Sequence, residues 1–521
     1  MKIIGAESIP ADVRANYIDE GLWNATRLAD GVEEHARLHP AKVALIDGET
    51  RWTYGQLASA TARATGYLHR LDINDQSVVL IIAPLIAPAV AAYHAVLRNG
   101  AVAVMLDRRA GRADVAQAME SAQADLVIST PELVEHLELA QFDVPVVTYA
   151  ELLASDVERN DWIEPDPERP IAVVFTSGTT SRPKGVVHSL NTIWAGARNM
   201  AEAVRLSKDD IAVLSSPLAS VTGLVQIHLT LDRGAALLLE DRFDAPESLA
   251  RMQREGATVL GGAPIIVEQL LREAQSQDLV DVGLRVISLG GSMIPRPLLD
   301  MAVGRYGITP VRVYGSSEAP CATTTPPSEL GERRLGDDGA CARGTELRTD
   351  GPVAGELLVR GPVRFLGYLD PDDNAQTFSG GGWFRTGDLA RYDEGRLTVT
   401  GRLKETVVRK GLKISLAEID ETASGLPGIE ECVSFGLPDP DTGERLVLAI
   451  RPVAPDAVVE FDAVIGWLLA AGLAKRKLPE QIVVWDAPLP RTASGKIQRR
   501  VVADGHQLRP ALLAPRLRDS D

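Results

Sequence analysis

The sequence predicts an α/β fold: a large N-terminal part of two α/β subdomains and a small β-barrel, then a small α+β part. Three observations predict it. Apolar runs alternate with helical patterns from Val43 to Val147. A second series of the same kind runs from Ile211 to Val313. From about Ala342 the pattern shortens to alternating segments broken by turn residues. Strands alternating with helices of this length are joined by crossovers, which gives largely parallel sheets with helices on their faces.

In the first series, residues 78–82, 102–106 and 125–128 read as buried strands. Residues 58–68, 87–97 and 113–121 read as the helices between them. An acidic, proline-bearing loop follows over 152–170. Residues 171–175 are apolar enough for a buried strand, and His188 to Trp194 reads as a helix start. The second series includes strands at 236–239, 258–260 and 285–289. Short alternating segments at 356–360, 389–392 and 396–400 suggest a small antiparallel barrel or sheet. Beyond residue 404 come a helix over 416–424, strands at 432–435 and 446–450, and a helix over 462–473. The Pro- and Arg-rich tail after His506 is expected to be loosely held.

A chain of 521 residues is long enough for two or more domains. Its 45% hydrophobic and 24% charged content is that of an ordinary globular protein. No apolar run reaches the ~20 residues that span a bilayer, and the first seven residues lack a signal-peptide core. Cys321, Cys341 and Cys432 are far apart and in no metal-ligand spacing, which fits a reducing, cytoplasmic setting. A net charge of −17 argues against nucleic acid or an anionic membrane as the main partner. If the ligand is anionic, local groups must attract it.

One stretch supplies them: Thr176-Ser177-Gly178-Thr179-Thr180-Ser181-Arg182-Pro183-Lys184-Gly185. Hydroxyls and Lys184 add donors and positive charge, and the glycines let backbone N–H groups converge on a point. That is how a loop binds phosphate. The order is not that of a Walker A loop, whose Lys follows the second Gly and precedes Ser or Thr. Here Lys184 precedes Gly185, and Val186 follows. That order disfavours a P-loop phosphatase or kinase. The sequence also has no G-x-S-x-G elbow for Ser-His-Asp hydrolysis.

The stretch resembles the phosphate loop of the adenylate-forming superfamily, which includes acyl-CoA synthetases, peptide-synthetase adenylation domains and luciferases. Ser181 stands where that loop usually has Gly. Five further stretches match the superfamily in its order. They are Tyr314-Gly315-Ser316-Ser317-Glu318; Gly355-Glu356-Leu357 with Gly361 and Gly367-Tyr368; and Trp383-Phe384-Arg385-Thr386-Gly387-Asp388. Then come Gly401-Arg402-Leu403-Lys404 with Lys410-Gly411-Leu412-Lys413-Ile414, and Pro490-Arg491-Thr492-Ala493-Ser494-Gly495-Lys496.

The resemblance implies an AMP-forming acid–thiol ligase that uses ATP, Mg2+ and coenzyme A. It implies an N-terminal adenylate-forming domain over 1–403 and a mobile C-terminal domain over 404–521. Joining a carboxylate to the α-phosphate of ATP brings two anions together, so cations and a pyrophosphate cradle are needed. Thr176, Ser177, Gly178, Thr179, Thr180 and Lys184 are implied to hold phosphates, Thr179 with a catalytic role. Gly290, Gly291, Ser292, Tyr314, Gly315, Ser316 and Ser317 are implied to line the nucleotide. Glu318 offers a hard oxygen ligand suited to Mg2+. Asp388 is implied to accept the ribose hydroxyls, assisted by Arg402. Lys496 is implied to reach the carboxylate and α-phosphate. Lys404 marks the hinge about which the small domain rotates between half-reactions, after which Lys410 and Gly411 approach the thiol channel.

Ser220, Val221, Thr222, Gly262 and Gly290 are expected to line the acyl pocket. The superfamily usually has an aromatic residue or His where Ser220 stands, so a roomy pocket and a bulky alicyclic, aryl or polycyclic acid are expected. No carrier domain follows the last motif, which favours coenzyme A as the thiol. An acyl-AMP ligase loading a separate carrier protein stays open as an alternative. So do an enzyme limited to the thioester step and an inactive nucleotide-binding protein. The acid and the oligomeric state, a homodimer included, are also open.

Overall fold

The computed structural model describes residues 9–23, 31–161, 166, 168–176, 183–292, 294–329, 331–403, 405–409, 412–454, 457–492 and 495–518. These fall into two compact units. One is drawn from Met1–Gly291, Arg296–Leu347 and Leu358–Arg385; the other from Ser292–Pro295, Arg348–Leu357 and Thr386–Asp521.

The first unit opens with β1 (Val43–Asp47) and β2 (Thr50–Thr53). The first α/β series supplies β3 (Val78–Ala83), β4 (Val102–Asp107), β5 (Leu126–Ser129) and β6 (Val146–Thr148). Next come β7 (Pro170–Phe175) and β8 (Gly185–Ser189). The second series supplies β9 (Ile211–Leu214), β10 (Ala236–Leu239), β11 (Val259–Gly262), β12 (Val286–Gly290) and β13 (Thr309–Tyr314). The short strands β14 (Thr323–Thr324) and β15 (Ala340–Cys341) follow. β16 (Glu346–Thr349) and β17 (Ala354–Arg360) are each divided between the two units, and β18 (Gly367–Tyr368) and β19 (Phe378–Ser379) return to the first.

Two sheets result. In one, β1, β10, β9, β11, β12 and β13 lie side by side in parallel, with β2 antiparallel on β1 and β14 and β15 continuing from β13. The other has the order β18-β8-β7-β4-β3-β5-β6. Its β7, β4, β3, β5 and β6 are parallel. All six residues of β3 are buried, as expected for a continuous apolar run covered on both faces. Val78, Leu80 and Ile82 share one face with Val102, Val104 and Leu106 in a single core cluster. The helix Tyr54–Arg70 starts where Thr53 and Gln56 close a capping box.

Two expectations need correction. The hydroxyl-rich loop was expected to lead from a strand into a helix at His188. Instead it joins two antiparallel strands, with Phe175 opposite Gly185 and Val174 opposite Val186. Val186 and Val187 are β-branched and pack in the sheet interior, which extends the strand through Ser189. The helix Leu190–Ala203 begins only after it, with Ser189 and Thr192 forming its capping box. The tail after His506 was expected to be loose, yet it contributes an edge strand to the second unit.

The second unit carries the hairpin of β20 (Trp383–Asp393) and β21 (Arg396–Arg402), with Asp388 opposite Arg402. Beyond it lie β22 (Thr406–Arg409), β23 (Leu412–Ser415), β24 (Ile429–Asp439), β25 (Gly443–Pro452), β26 (Gln481–Val484) and β27 (Ala511–Leu513). They form a sheet of order β23-β22-β25-β26-β27, with β24 also on β25. β27 is the corrected tail: it pairs antiparallel with β26. Along β25 the faces alternate. Leu446, Leu448 and Ile450 join one apolar cluster, and Val447 and Ala449 the other. Among the described residues no helix is long and apolar enough to cross a membrane.

Candidate active site

Within the first unit, the carboxyl ends of four adjacent parallel strands form one edge. Leu214 pairs with Gly261, Gly262 with Leu289, and Gly290 with Val313. Ligands of α/β sheets bind at such carboxyl edges. Two glycines at this edge face close neighbours. A Cβ on Gly290 would lie 2.4 Å from the Val313 carbonyl oxygen, so no side chain fits there. A Cβ on Gly262 would stand 3.1 Å from Ser215 Oγ. That hydroxyl is buried and has no hydrogen-bond partner among the described residues. Tyr314 ends β13 at the same edge and Gly315, Ser316 and Ser317 follow it; all four are half-buried. Gly291 and Ser292 follow β12 and are exposed.

Of the expected acyl-pocket residues, Val221 is buried and Thr222 exposed. Ser220 is the N-cap of the helix Val221–Asp232: its Oγ accepts from the Gly223 N–H at 3.0 Å and donates to the Pro217 carbonyl at 2.7 Å. Its side chain thus has a structural task in addition to the expected one.

The hydroxyl-rich loop is pinched at its neck. Thr176 N–H donates to the Lys184 carbonyl at 3.0 Å, and Thr176 Oγ1 accepts from Lys184 N–H at 3.4 Å. Ser177, Gly178, Thr179, Thr180, Ser181 and Arg182 lie outside the described residues. Lys184 Nζ stands 2.8 Å from Asp373 Oδ1 and 4.5 Å from the centre of the Tyr368 ring. The Tyr368 hydroxyl donates to Glu318 Oε1 at 2.8 Å. Burial first, and the Glu318 carboxylate second, push the Tyr368 phenol far above its ordinary value, so it stays a donor. Lys184 and Glu318, expected from separate motifs, are thereby joined through one side chain.

The backbone explains why. Phe365 N–H donates to the Glu318 carbonyl at 2.8 Å, Leu366 N–H to Val187 at 2.9 Å and Leu369 N–H to Gly185 at 2.7 Å. The segment around Tyr368 is thus tied both to Glu318 and to the strand leaving the loop. His188 adds a further tie. Its Nε2 lies 2.7 Å from the Ser317 carbonyl and its Nδ1 3.0 Å from Thr192 Oγ1. Burial lowers its pKa to about 4, so the ring is neutral, and Nε2 carries the proton given to Ser317.

In the sequence reading Tyr368 stands only within a matching stretch and His188 only at an expected helix start; neither they nor Asp373 carries a functional role there. Tyr368 stands 50 residues from Glu318, and no periodicity relates the two; only the chain path brings them together.

In the second unit, Asp388 is buried, and Arg402 Nε donates to its Oδ1 at 2.9 Å across the hairpin. Gly387 takes a φ of +72°, which turns the strand at this point. Asp388 N–H donates to Thr386 Oγ1 at 3.0 Å, and Thr386 Oγ1 donates to the Leu357 carbonyl at 2.8 Å. The expected pair of Asp388 and Arg402 is therefore assembled. Lys496 is exposed, in a loop closed by Thr492 N–H donating to the Lys496 carbonyl at 2.7 Å. Arg491 braces the loop, donating to Gly495 O at 2.7 Å and to Glu431 Oε1 at 2.6 Å. Lys404, Lys410 and Gly411 lie outside the described residues.

A site for Mg2+ needs hard oxygen donors. Glu318 is one half-buried carboxylate, with Oε1 taken by Tyr368. A single protein carboxylate beside substrate phosphates is a donor set that suits Mg2+.

Comparison with known proteins agrees with this chemistry. The chain matches the AMP-binding enzyme family over residues 32–369 and the AMP-binding enzyme C-terminal domain over residues 418–496. A medium-chain fatty-acid–CoA ligase of Escherichia coli (strain K12) is 29% identical over 521 residues, covering 93% of this chain and 91% of that protein. An indoleacetate–CoA ligase of Aromatoleum aromaticum (strain DSM 19018 / LMG 30748 / EbN1) is 30% identical over 499 residues, covering 91% and 96%. The structure of O-succinylbenzoate coenzyme A synthetase from Bacillus subtilis, in complex with ATP and magnesium ion, superposes with a TM-score of 0.80. It is 24% identical and covers 91% of this chain and 99% of that one, a likeness of fold.

Proposed function

The chain belongs to the AMP-binding enzyme family, and from that premise we propose that it is an AMP-forming acyl-CoA ligase acting on a bulky carboxylic acid. The observation that carries this reading is the Lys184–Tyr368–Glu318 cluster, a cation and a carboxylate held together beside an open strand edge. In the first half-reaction a carboxylate oxygen bonds to the α-phosphorus of ATP, and the bond to the β-phosphate oxygen breaks, releasing pyrophosphate. In the second, a thiolate sulfur bonds to the acyl carbon, and the bond to AMP breaks.

Lys184 serves the phosphates, together with Thr176, Ser177, Gly178, Thr179 and Thr180. Glu318 would hold Mg2+, which supplies positive charge against the phosphate oxygens when bound. Asp388 receives the ribose hydroxyls, with Arg402 holding its carboxylate. Lys496 serves the first half-reaction and Lys410 and Gly411 the second, in a C-terminal domain that begins at the Lys404 hinge and spans 404–521. The residues before it, 1–403, form the adenylating domain. We place the enzyme in the cytoplasm, on the strength of three cysteines that stand far apart in the sequence and in no metal-ligand spacing.

The small Ser220 side chain, where the superfamily usually has an aromatic residue or His, supports a wide acyl pocket, and the unpartnered Ser215 hydroxyl gives it one polar point. The test is pyrophosphate release across carboxylic acids graded from acetate to polycyclic acids, with the thioester identified by mass spectrometry. Turnover with aryl or polycyclic acids and coenzyme A is expected. Turnover of short linear acids alone would overturn the bulky-acid reading. Product formed only on a carrier protein would overturn the choice of thiol.

A further inference from the structure

Tyr368 is buried, yet its two faces of chemistry are both in use. Its hydroxyl gives a hydrogen bond to Glu318 Oε1, and its ring lies under the Lys184 ammonium. The ammonium is attracted to the ring's negative face. The carboxylate is oriented by a charge-assisted hydrogen bond and keeps its other oxygen for a ligand. Neither contact is left to chance, because backbone hydrogen bonds tie residues 365–369 to Glu318, Val187 and Gly185. Tyr368 also pairs with Val186 in the sheet, two residues beyond Lys184. Phe365 packs edge-on against its ring at 5.0 Å, which fixes the rotamer. A tyrosine placed only to fill a core would need neither charged partner.

We propose that Tyr368 is a positioning residue that presents the Glu318 carboxylate and the Lys184 ammonium as one unit, so that a divalent ion and the phosphates it accompanies are bound together. The inference rests on the reading of Glu318 as the metal-holding carboxylate. Phosphates that reach Lys184 exchange with Asp373, its present ion-pair partner. The ring keeps the ammonium in place during that exchange, and the hydroxyl keeps Glu318 aimed at the same phosphates.

The test uses the full chain and Mn2+ as a probe of the divalent site. Electron paramagnetic resonance reads Mn2+ bound in the presence of a non-hydrolysable ATP analogue, and calorimetry reads the analogue without metal. Tyr368→Phe keeps the ring and drops the hydroxyl. It should weaken Mn2+ binding about tenfold, the scale of a lost hydrogen bond to a charged group, and leave metal-free nucleotide affinity unchanged. Tyr368→Leu should weaken both. If Tyr368 acts through Glu318, the double variant Tyr368→Phe with Glu318→Gln should bind Mn2+ no more weakly than Glu318→Gln alone. Additive losses in the double variant would mark a merely structural role and overturn the proposal. So would Mn2+ affinity in Tyr368→Phe equal to the wild type when Glu318→Gln has lost it. If Glu318→Gln itself binds Mn2+ normally, the reading of Glu318 fails, and the proposal that rests on it fails too.

Discussion

His188 is a buried ring whose proton is fixed by its neighbours, and this makes a stability prediction with a definite sign. In the fold it takes up a second proton only near pH 4, against 6.5 for an exposed ring, because burial disfavours the charged form. Between those values the unfolded chain binds more protons, so stability falls as pH drops from about 6.5 to about 4 and levels off below. The full contribution is roughly 3 kcal/mol. Thermal midpoints from pH 7 to pH 4.5 should fall more steeply for the wild type than for His188→Asn; parallel curves would contradict this. Ser220 makes a second prediction at the same scale. Removing its cap in Ser220→Ala should cost about 1 kcal/mol, with little change in which acids are used. Ser220→Phe should also shift the acid profile toward small substrates by filling space. A size profile unchanged in Ser220→Phe would take Ser220 out of the pocket. Residue identities such as Glu318, Asp388 and Lys184 were legible because their motifs are local. The contacts of Tyr368, whose motif carries no role in the sequence reading, and of Asp373 were not, since they depend on chain segments that only the fold brings near.

At the scale of elements, the parallel strands were legible because fully buried strands read as unbroken apolar runs, and β3, β4 and β5 lie where those runs stand. The hairpin at the hydroxyl-rich loop was not. A short apolar run such as Gly185-Val186-Val187 fits a strand or the lead into a helix equally well, and tertiary pairing with β7 decides it. The capping chemistry of Ser189 was the better guide to where the helix begins. The tail misled because its Pro and Arg content masks a three-residue edge strand, Ala511–Leu513. A partly buried ionic link holds the second unit's elements together. Arg499 donates to Asp420 Oδ2 at 2.9 Å and to Glu405 Oε2 at 3.3 Å, and Asp420 Oδ1 accepts from Ser434 N–H. Burial pushes the Asp420 carboxyl up, which makes its guanidinium partner indispensable. Arg499→Ala should therefore destabilise the second unit by about 1.5–3 kcal/mol, measured as a shift of its own unfolding transition in urea. A loss below about 1 kcal/mol would show that the link is relieved by water.

For the whole molecule, the account divides one reaction between two sets of groups. The cluster of Lys184, Tyr368 and Glu318, proposed to meet the phosphates, belongs to the first unit, and Asp388, Arg402 and Lys496 to the second. A net charge of −17 repels ATP at long range, so adenylation depends on a few local cations. Lys184 rests against Asp373, and the Lys496 loop is braced by Arg491 and Glu431. A cation needed only while two anions are being joined should matter for the first half-reaction alone. The most direct measurement is therefore the Lys496→Ala variant followed in single turnovers, with adenylate formation and thioester formation from a supplied acyl-adenylate read separately. The account predicts that the first falls by orders of magnitude while the second stays near the wild-type rate. Equal loss in both steps, or undiminished adenylate formation, would contradict it.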